Sequence, residues 1–341
     1  MKKIKTNLKK QRILTGDTPT GRLHIGHYVG TLENRVKLQN EYETFIILAD
    51  MHAYTTLSES PEKIRESVVE VAIDNLAVGL DPDKVHIFIE SQIPEIFELA
   101  AIYSMLVPHS RAMRNPTIKD EIITKGQGDS YSLGFVNYPI YQAADITCVG
   151  ANLVPVGKDQ LAHIEQTNEI VDKFNSLYGE VLTRPKALIG NVGKLVGTDG
   201  KPKMGKSLGN TIMLSATTAE VKTAVMGMYT DPARIHASDP GEVKDNPVFI
   251  YHDIFNPNKE EVLDLKKRYK KGKVGDVEVK TQLFVVIDNF LNPIRERRAY
   301  YENNRKLVLD ILAEGTRITR IETQKTLERV RAAMKMNYSN R

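Results

Sequence analysis

The chain contains, close to its start, the stretch Leu14-Thr15-Gly16-Asp17-Thr18-Pro19-Thr20-Gly21-Arg22-Leu23-His24-Ile25-Gly26-His27-Tyr28. It runs from an apolar segment typical of a strand, through a turn rich in glycine and proline, into a helix. In a parallel sheet this junction lies at the carboxyl end of a strand, where ligands bind. A helix beginning there offers free backbone N–H groups and the positive end of its dipole to a phosphate. The stretch therefore predicts a nucleotide site beside the first strand of a parallel sheet.

Two histidines and a glycine in this stretch suggest how a nucleotide would be held. His24 and His27 lie one helical turn apart, so both imidazoles can face the same phosphate. Gly26 has no side chain, so an adenine or a ribose can lie against the helix backbone there. The turn contains neither a Gly-x-Gly-x-x-Gly fingerprint nor a Walker loop. Taken alone, the two histidines could equally be ordinary surface residues.

Outward from this stretch, short apolar runs alternate with helical patterns. Buried strands are predicted over residues 13–15, 45–49, 85–89 and 153–156. Helices are predicted over residues 61–79, about 94–107 and about 137–147. This rhythm favours an α/β fold, with a Rossmann-type nucleotide-binding parallel sheet covered by helices on both faces.

The pattern changes after about residue 210, where strand-like runs become rare. Amphipathic helices are predicted over residues 219–228, 260–271, 277–291, 293–303, 306–312 and 318–336. The sequence thus divides into a basic lead-in (1–10), a nucleotide-binding domain (11–210) and an all-helical domain (211–341). The helical domain carries basic clusters at Lys266-Lys267-Arg268, Lys270-Lys271, and Arg295, Arg297 and Arg298. Such runs either bind a polyanion or form solvated helix faces.

A second chemical motif is Lys203-Met204-Gly205-Lys206-Ser207, which lies between Gly200 and Gly209. A glycine-bearing loop with lysines suits a mobile lid over a triphosphate. Its ammonium groups can approach the negative charge that develops on a leaving pyrophosphate. A plain solvated basic loop is the alternative.

Composition limits the kinds of site that the chain can build. Cys148 is the only cysteine, which excludes an intramolecular disulfide and any zinc or iron–sulfur site built on several thiolates. No apolar run is long enough to span a bilayer, and no segment of signal-peptide length follows the basic start. We expect a cytoplasmic protein without membrane contact. The net charge of +4 is compatible with a polyanionic partner but does not require one.

The two motifs, in this order and at this separation, resemble the HIGH and KMSKS signatures of class I aminoacyl-tRNA synthetases. The first matches fully, whereas Gly205 stands where serine is usual in the second. The middle of the chain is similar to the tryptophanyl enzymes of this class. The matching segments are Thr15-Gly16-Asp17-Thr18-Pro19-Thr20-Gly21, Tyr138-Pro139, Gln142-Ala143-Ala144-Asp145-Ile146 and Val154-Pro155-Val156-Gly157-Lys158-Asp159-Gln160.

The resemblance implies the residues of an amino-acid site. Asp145 would accept the indole N–H of tryptophan, and an acceptor-only carboxylate matches a donor-only indole. Gln160 would reach the ammonium group of the substrate. The remaining members of this predicted site are Gly16, His52, Tyr138 and Gln142. Tyrosine is the alternative substrate, because Tyr138, Gln142 and Asp145 also match the pattern that tyrosyl enzymes place around the phenol.

The resemblance also implies an ATP site and a reaction. The ATP-binding residues would be Thr18, Pro19, Thr20, Gly26, His27, Gly157, Lys158, Asp159, Leu195, Lys203, Met204, Gly205, Lys206 and Ser207. Four of the basic residues, His24, His27, Lys203 and Lys206, would stabilise the migrating negative charge while the tryptophan carboxylate attacks the α-phosphorus of ATP. The expected partners are ATP with Mg²⁺, L-tryptophan, a tRNA read by the helical domain, and a second copy of the chain in a homodimer. Another adenylyltransferase and a non-catalytic synthetase-like tRNA-binding protein are the rival classes.

Overall fold

The computed structural model describes residues 11–124, 131–157, 160–189, 195–202, 204–231, 234, 236 and 238–338, with the side chains of residues 120, 121, 123 and 124 left out. The basic lead-in and three of the predicted ATP-site residues, Lys158, Asp159 and Lys203, lie outside the described residues. No described helix is both long enough and apolar enough to cross a membrane.

The sheet is parallel and has the order β3-β2-β1-β4-β5. Its strands are β1 (Arg12–Asp17), β2 (Glu43–Leu48), β3 (Val85–Ile89), β4 (Leu153–Val156) and β5 (Lys186–Ile189). The chain builds outward from β1 to β3 on one side and then returns to place β4 on the other side. This reversal makes the crevice beyond the carboxyl ends of β1 and β4 the position where such sheets bind ligands. The predicted Rossmann-type sheet is confirmed.

Helices of the first part connect and cover these strands. They are α1 (Ile25–His27), α2 (Glu33–Leu38), α3 (Asp50–Leu57), α4 (Pro61–Ala77), α5 (Pro94–Ser104), α6 (His109–Ala112), α7 (Pro116–Thr124), α8 (Leu133–Cys148) and α9 (Leu161–Tyr178). A π-helical turn, Tyr28–Leu32, joins α1 to α2. Sequence patterns missed β5, α3, α6, α7 and α9. The strand β5 is only four residues long and none of them is buried, so it carries no apolar run.

The described elements of the second part are all helical. They are α10 (Thr218–Met226), α11 (Pro247–Phe255), α12 (Lys259–Lys270), α13 (Asp276–Asn303) and α14 (Arg305–Ala333). The prediction of separate helices at 277–291 and 293–303 was wrong, because α13 continues through Pro293. An interior proline costs roughly 3 kcal/mol of helix stability. Burial of Leu291 and Ile294 on either side of it opposes that cost.

The last helix returns to the sheet. The predicted break between 312 and 318 was also wrong, since α14 runs through Gly315. A Cβ at Gly315 would lie 2.1 Å from the carbonyl oxygen of Ile87, so only glycine permits this approach to β3. The backbone N–H of Ile89 donates to Thr316 Oγ1 at 3.2 Å. The domain division at residue 210 therefore stays a proposal, because α14 packs against the first part.

Both faces of the central strands are buried, which explains their continuous apolar runs. Phe45 and Ile47 of β2 pack in a cluster with residues of α5, α8 and α9. Ile46 and Leu48 point the other way, into a cluster that includes residues of α4 and extends into α10, α11 and α13. The second cluster joins the sheet to the helical part in one core.

Candidate active site

A cavity of about 820 Å³ opens at the carboxyl ends of β1 and β4, where the strand order reverses. We call it the switch-point cavity. The residues predicted for the amino-acid site all line it: Gly16, His52, Tyr138, Gln142, Asp145 and Gln160. Thr18 and Gly157, from the predicted ATP site, line it as well. The structure thus brings together predicted residues from four separated segments of the chain.

Asp145 is the buried acceptor of this cavity. It lies on α8 with 7% of its surface exposed, beside the fully buried Ala143 and Ala144. Its Oδ1 has no hydrogen-bond partner among the described residues. The pKa of Asp145 is raised well above its ordinary value, mainly because the group is buried and secondly because the charges of Glu90 and Asp50 lie nearby. A buried carboxylate oxygen without a donor is costly, so the site is suited to a ligand that brings one.

Two further carboxyl groups, those of Glu90 and Asp50, lie close enough to Asp145 to raise its pKa, and sequence analysis missed both. Glu90 follows β3 directly, is 1% exposed, and accepts from the backbone N–H of Met51 at 3.2 Å. The pKa of Glu90 is raised to about 8, mainly because the group is buried and secondly because the charge of Asp50 lies nearby. Asp50 accepts from Ser91 N at 2.9 Å and from its hydroxyl at 2.5 Å. An acidic residue immediately after an apolar strand was the available signal for Glu90.

An aromatic wall closes one side of the cavity. The Tyr138 hydroxyl lies 3.2 Å from His163 Nε2, and the His52 ring centroid lies 4.7 Å from that of Tyr138. Asn115 Oδ1 accepts from Thr117 N, so its Nδ2 is the donor toward His163 Nδ1 at 3.2 Å. His163 Nδ1 is therefore an acceptor. Sequence analysis missed His163, which lies on α9 and reaches the cavity only through the fold.

The turn after β1 orients its two histidines by hydrogen bonds within the turn. His24 Nδ1 accepts from Gly26 N, and His27 Nδ1 accepts from His24 N, each at 3.1 Å. Their ring centroids are 3.8 Å apart. Burial lowers the pKa of His24 to about 3, aided by His27 and Lys206, and burial lowers the pKa of His27 to about 4. Both rings are neutral near pH 7, and with Nδ1 accepting, each carries its proton on Nε2.

The second motif packs against this turn. Lys206 Nζ donates to the carbonyl oxygen of Arg22 at 3.2 Å. A Cβ at Gly26 would lie 2.7 Å from Met204 Sδ, so the methionine fills the space where a nucleotide was predicted to contact the helix. A base or ribose can reach Gly26 only after Met204 moves. We refer to His24, His27 and Lys206 together as the histidine–lysine cluster.

Backbone pairing explains how Lys206 and Arg22, 184 positions apart, come into contact. Ile25 N donates to Ile212 O, and Leu214 N donates to Leu23 O, each at 3.0 Å. Near the base of the loop, Gly205 N donates to Asn210 Oδ1 at 2.9 Å. Residues 212–214, which follow the second motif, therefore pair with residues 23–25 of the first motif. This pairing anchors the loop that carries Lys206 beside the two histidines.

A buried ion pair holds the carboxyl end of β1. Arg35, 1% exposed, donates from Nη1 to Asp17 Oδ2 at 2.6 Å and from Nη2 to Gly16 O at 2.7 Å. Burial alone would raise the pKa of Asp17, but the charge and hydrogen bonds of Arg35 lower it below its ordinary value. This pair was not anticipated from the sequence.

The remaining predicted ATP-site residues lie around the same turn and loop. Pro19 is buried and Thr20 half-buried in the turn, and Gly205 and Ser207 belong to the loop. The Leu195 side chain is 3% exposed and packs in the core, so only its backbone could meet a ligand.

Comparison with known proteins agrees with this geometry. The family described as tRNA synthetases class I (W and Y) matches residues 6–292. The chain is 50% identical to the tryptophan–tRNA ligase of Clostridium longisporum, over 98% of this chain and 99% of that protein. It is 49% identical to the enzyme of the same name from Streptococcus mutans, over 97% and 100%. The tryptophanyl-tRNA synthetase of Campylobacter jejuni, solved with ADP and tryptophan, superimposes with a TM-score of 0.85 at 31% identity, covering 95% of this chain and 100% of that one. The chain therefore belongs to the class I tRNA synthetases of the tryptophan and tyrosine family.

Proposed function

We propose that this chain activates L-tryptophan with ATP and transfers the tryptophanyl group to a tryptophan-specific tRNA. Relatives about half identical over nearly the whole chain are named for this reaction. The observation that carries the proposal at the level of residues is Asp145 Oδ1, buried beside an apolar wall and lacking a donor among the described residues.

Tryptophan matches the cavity through one hydrogen bond and apolar contact. The indole N–H would donate to Asp145, while Ile146, Val154 and Val156 line the cavity for the ring. Phenylalanine would leave the carboxylate unpaired and would be rejected strongly. Tyrosine was favoured only by the combination of Tyr138, Gln142 and Asp145, and it is set aside because the relatives are named for tryptophan.

In the first step an oxygen of the tryptophan carboxylate forms a bond to the α-phosphorus, and the bond from that phosphorus to pyrophosphate breaks. Neutral His24 and His27 would donate through Nε2–H to phosphate oxygens, and Lys206 would approach the charge on the leaving group. Lys203 is assigned the same role from its position in the motif. No protein general base is assigned, since alignment and charge stabilisation carry such reactions. ATP would enter as its Mg²⁺ complex.

The helical part is proposed to bind tRNA, but the structure revises which charges can do so. Lys266 lies 2.6 Å from Asp253, and Arg268 lies 2.8 Å from Glu278, so both are engaged in ion pairs. Lys267 and Lys270 are exposed on the same helix. These two are the better candidates for phosphate contacts. The homodimer stays a prediction from the family, and the cytoplasmic location stays a prediction from the sequence.

Amino-acid-dependent pyrophosphate exchange with each of the twenty amino acids tests the proposal. Exchange is expected with tryptophan and near background with tyrosine and phenylalanine. Exchange driven by tyrosine would overturn the substrate, and no exchange with any amino acid would favour a tRNA-binding protein without catalysis. Adenylate formation followed by no transfer to tRNA would favour a different adenylyltransferase.

A further inference from the structure

Two carboxylates of α4 lie directly behind the turn that carries the histidines. Leu23 N donates to Asp74 Oδ2 at 2.6 Å, and Arg22 Nε donates to Glu70 Oε2 at 2.7 Å. Leu23 immediately precedes His24, whose own N–H binds His27 Nδ1. The position of both imidazoles therefore depends on where α4 places these carboxylates.

The same carboxylates are bridged from behind by one arginine of the helical part. Arg298 of α13 donates from Nη1 to Asp74 Oδ1 and from Nη2 to Glu70 Oε2. Its Nη2 also lies 2.9 Å from Glu302 Oε1. Arg298 is 2% exposed and Asp74 is fully buried. A planar guanidinium can bind two carboxylates at once, which an ammonium group cannot match in geometry.

Because Asp74 is fully buried, its charged form depends on the cation of Arg298 more strongly than an exposed carboxylate would. Burial raises the pKa of Asp74 to about 6, whereas the charge of Arg298 and the Leu23 N–H oppose the rise. Without the arginine, two carboxyl groups one helical turn apart would lack their shared cation, and removing one partner of a buried pair is strongly unfavourable. Protonation or displacement of Asp74 would then alter the hydrogen bond that holds Leu23.

We propose that Arg298 is a positioning residue for adenylate formation: through Asp74 and Glu70 it holds the turn that presents His24 and His27 to ATP. The inference rests on the proposed function, because it assigns that turn to ATP. It also predicts that a residue in the helical part controls a step that does not involve tRNA. The switch-point cavity is lined by none of the residues of this network, so tryptophan binding should be spared.

The test compares Arg298→Met with Arg297→Met in tryptophan-dependent pyrophosphate exchange. Arg297 is a matched control, since its Nε donates to Ala77 O at 2.5 Å and so holds the same two helices together without touching the carboxylates. A small displacement of reacting groups can lower a rate on the order of 10²-fold. Arg298→Met should raise the KM for ATP and lower kcat by roughly 10- to 100-fold, with the Kd for tryptophan unchanged. Arg297→Met should stay within about twofold of the unmutated protein, because the contacts it removes are not those on Asp74 and Glu70.

A double-mutant cycle separates positioning from folding. In a Glu70→Gln/Asp74→Asn background, Arg298→Met should cost far less than it does alone, because the carboxylates it serves are gone. Arg298→Lys, which retains the charge but not the fork, should raise the KM for ATP several-fold and decides the matter if Arg298→Met does not fold. Unchanged ATP kinetics in a folded Arg298 variant, or equal losses from Arg297→Met, would overturn the inference. Failure of the unmutated protein to exchange would instead refute the proposed function.

Discussion

The switch-point cavity and the histidine–lysine cluster lie side by side but are built from opposite groups. The cavity is lined by the carboxyl groups of Glu90 and Asp145 and by apolar side chains, whereas the cluster presents N–H donors on a glycine turn and a loop. A buried acceptor selects the ligand that brings a donor. Donors around a reacting phosphate act mainly as charge develops. The cavity should therefore determine which amino acid binds, and the cluster should determine how fast it reacts.

The strongest test of this division is Lys206→Ala. We expect the rate of tryptophan activation to fall about 10²–10³-fold, the range for losing one donor that stabilises developing charge. The Kd for tryptophan should hardly change, because Lys206 does not line the cavity. Lys201→Ala is the matched control, since Lys201 belongs to the same loop and is 76% exposed with its nearest carboxylate, Asp199, at 3.6 Å. Unchanged turnover in Lys206→Ala would remove this residue from the reaction.

Asp145→Ala tests the other region. Removing the acceptor of a buried hydrogen bond costs about 1–3 kcal/mol, so kcat/KM for tryptophan should fall roughly 5- to 150-fold. Phenylalanine brings no donor, so its kcat/KM should fall much less. The ratio of kcat/KM for tryptophan to kcat/KM for phenylalanine should therefore become smaller. Pyrophosphate exchange with both amino acids measures it. Equal losses for both would mean that Asp145 supports the fold rather than recognition.

Glu90→Gln tests whether a buried carboxyl group of the cavity makes the stability of the protein depend on pH. Folding raises the pKa of Glu90 from an ordinary 4.5 to about 8, so between these values the native protein holds a proton that the unfolded chain has lost. The free energy of unfolding of the unmutated protein should therefore fall as pH rises through this window, by at most about 1.4 kcal/mol per pH unit for one proton. Glutamine keeps an acceptor for Met51 N and removes the titration. Chemical unfolding measures the free energy of unfolding at pH 6 and pH 9, and the difference between the two values should be smaller in the variant. An equal difference in both proteins would contradict the raised pKa of Glu90.

The smallest effect is expected from charges that belong to neither region. Reversing Lys267 and Lys270 to glutamate should weaken tRNA binding several-fold and lower the slope of its salt dependence by roughly one per lost phosphate contact. Adenylate formation should be unaffected and serves as the internal control. Unaltered tRNA binding at physiological salt would show that these two lysines are only solvated.

The parallel sheet and the turn that carries the two histidines were predictable because their signals are local. The residues 45–48 of β2 form a continuous apolar run, since both faces of the strand are buried, and the His24 turn combines glycine, proline and histidine within a few positions. Apart from His52, which was assigned from its position after the second strand, the residues predicted for the amino-acid site also came from short motifs, and all of them line one cavity. The joined helices α13 and α14 were mispredicted, because proline and glycine weaken a helix locally while burial at Leu291 and the approach of Gly315 to Ile87 are not visible in a local window.

Local sequence patterns are therefore enough to predict the sheet, the helical second part, the two motifs and the residue types that fit tryptophan and ATP. The packing of the folded chain was needed to show that Glu90 and Asp50 lie within electrostatic range of Asp145, that Met204 covers Gly26, and that Arg298 contacts Asp74 from a position 224 residues away. The physical reason is that periodicity and turn chemistry depend on neighbours in the chain. Burial, charge pairing and close approach depend instead on residues that folding brings together.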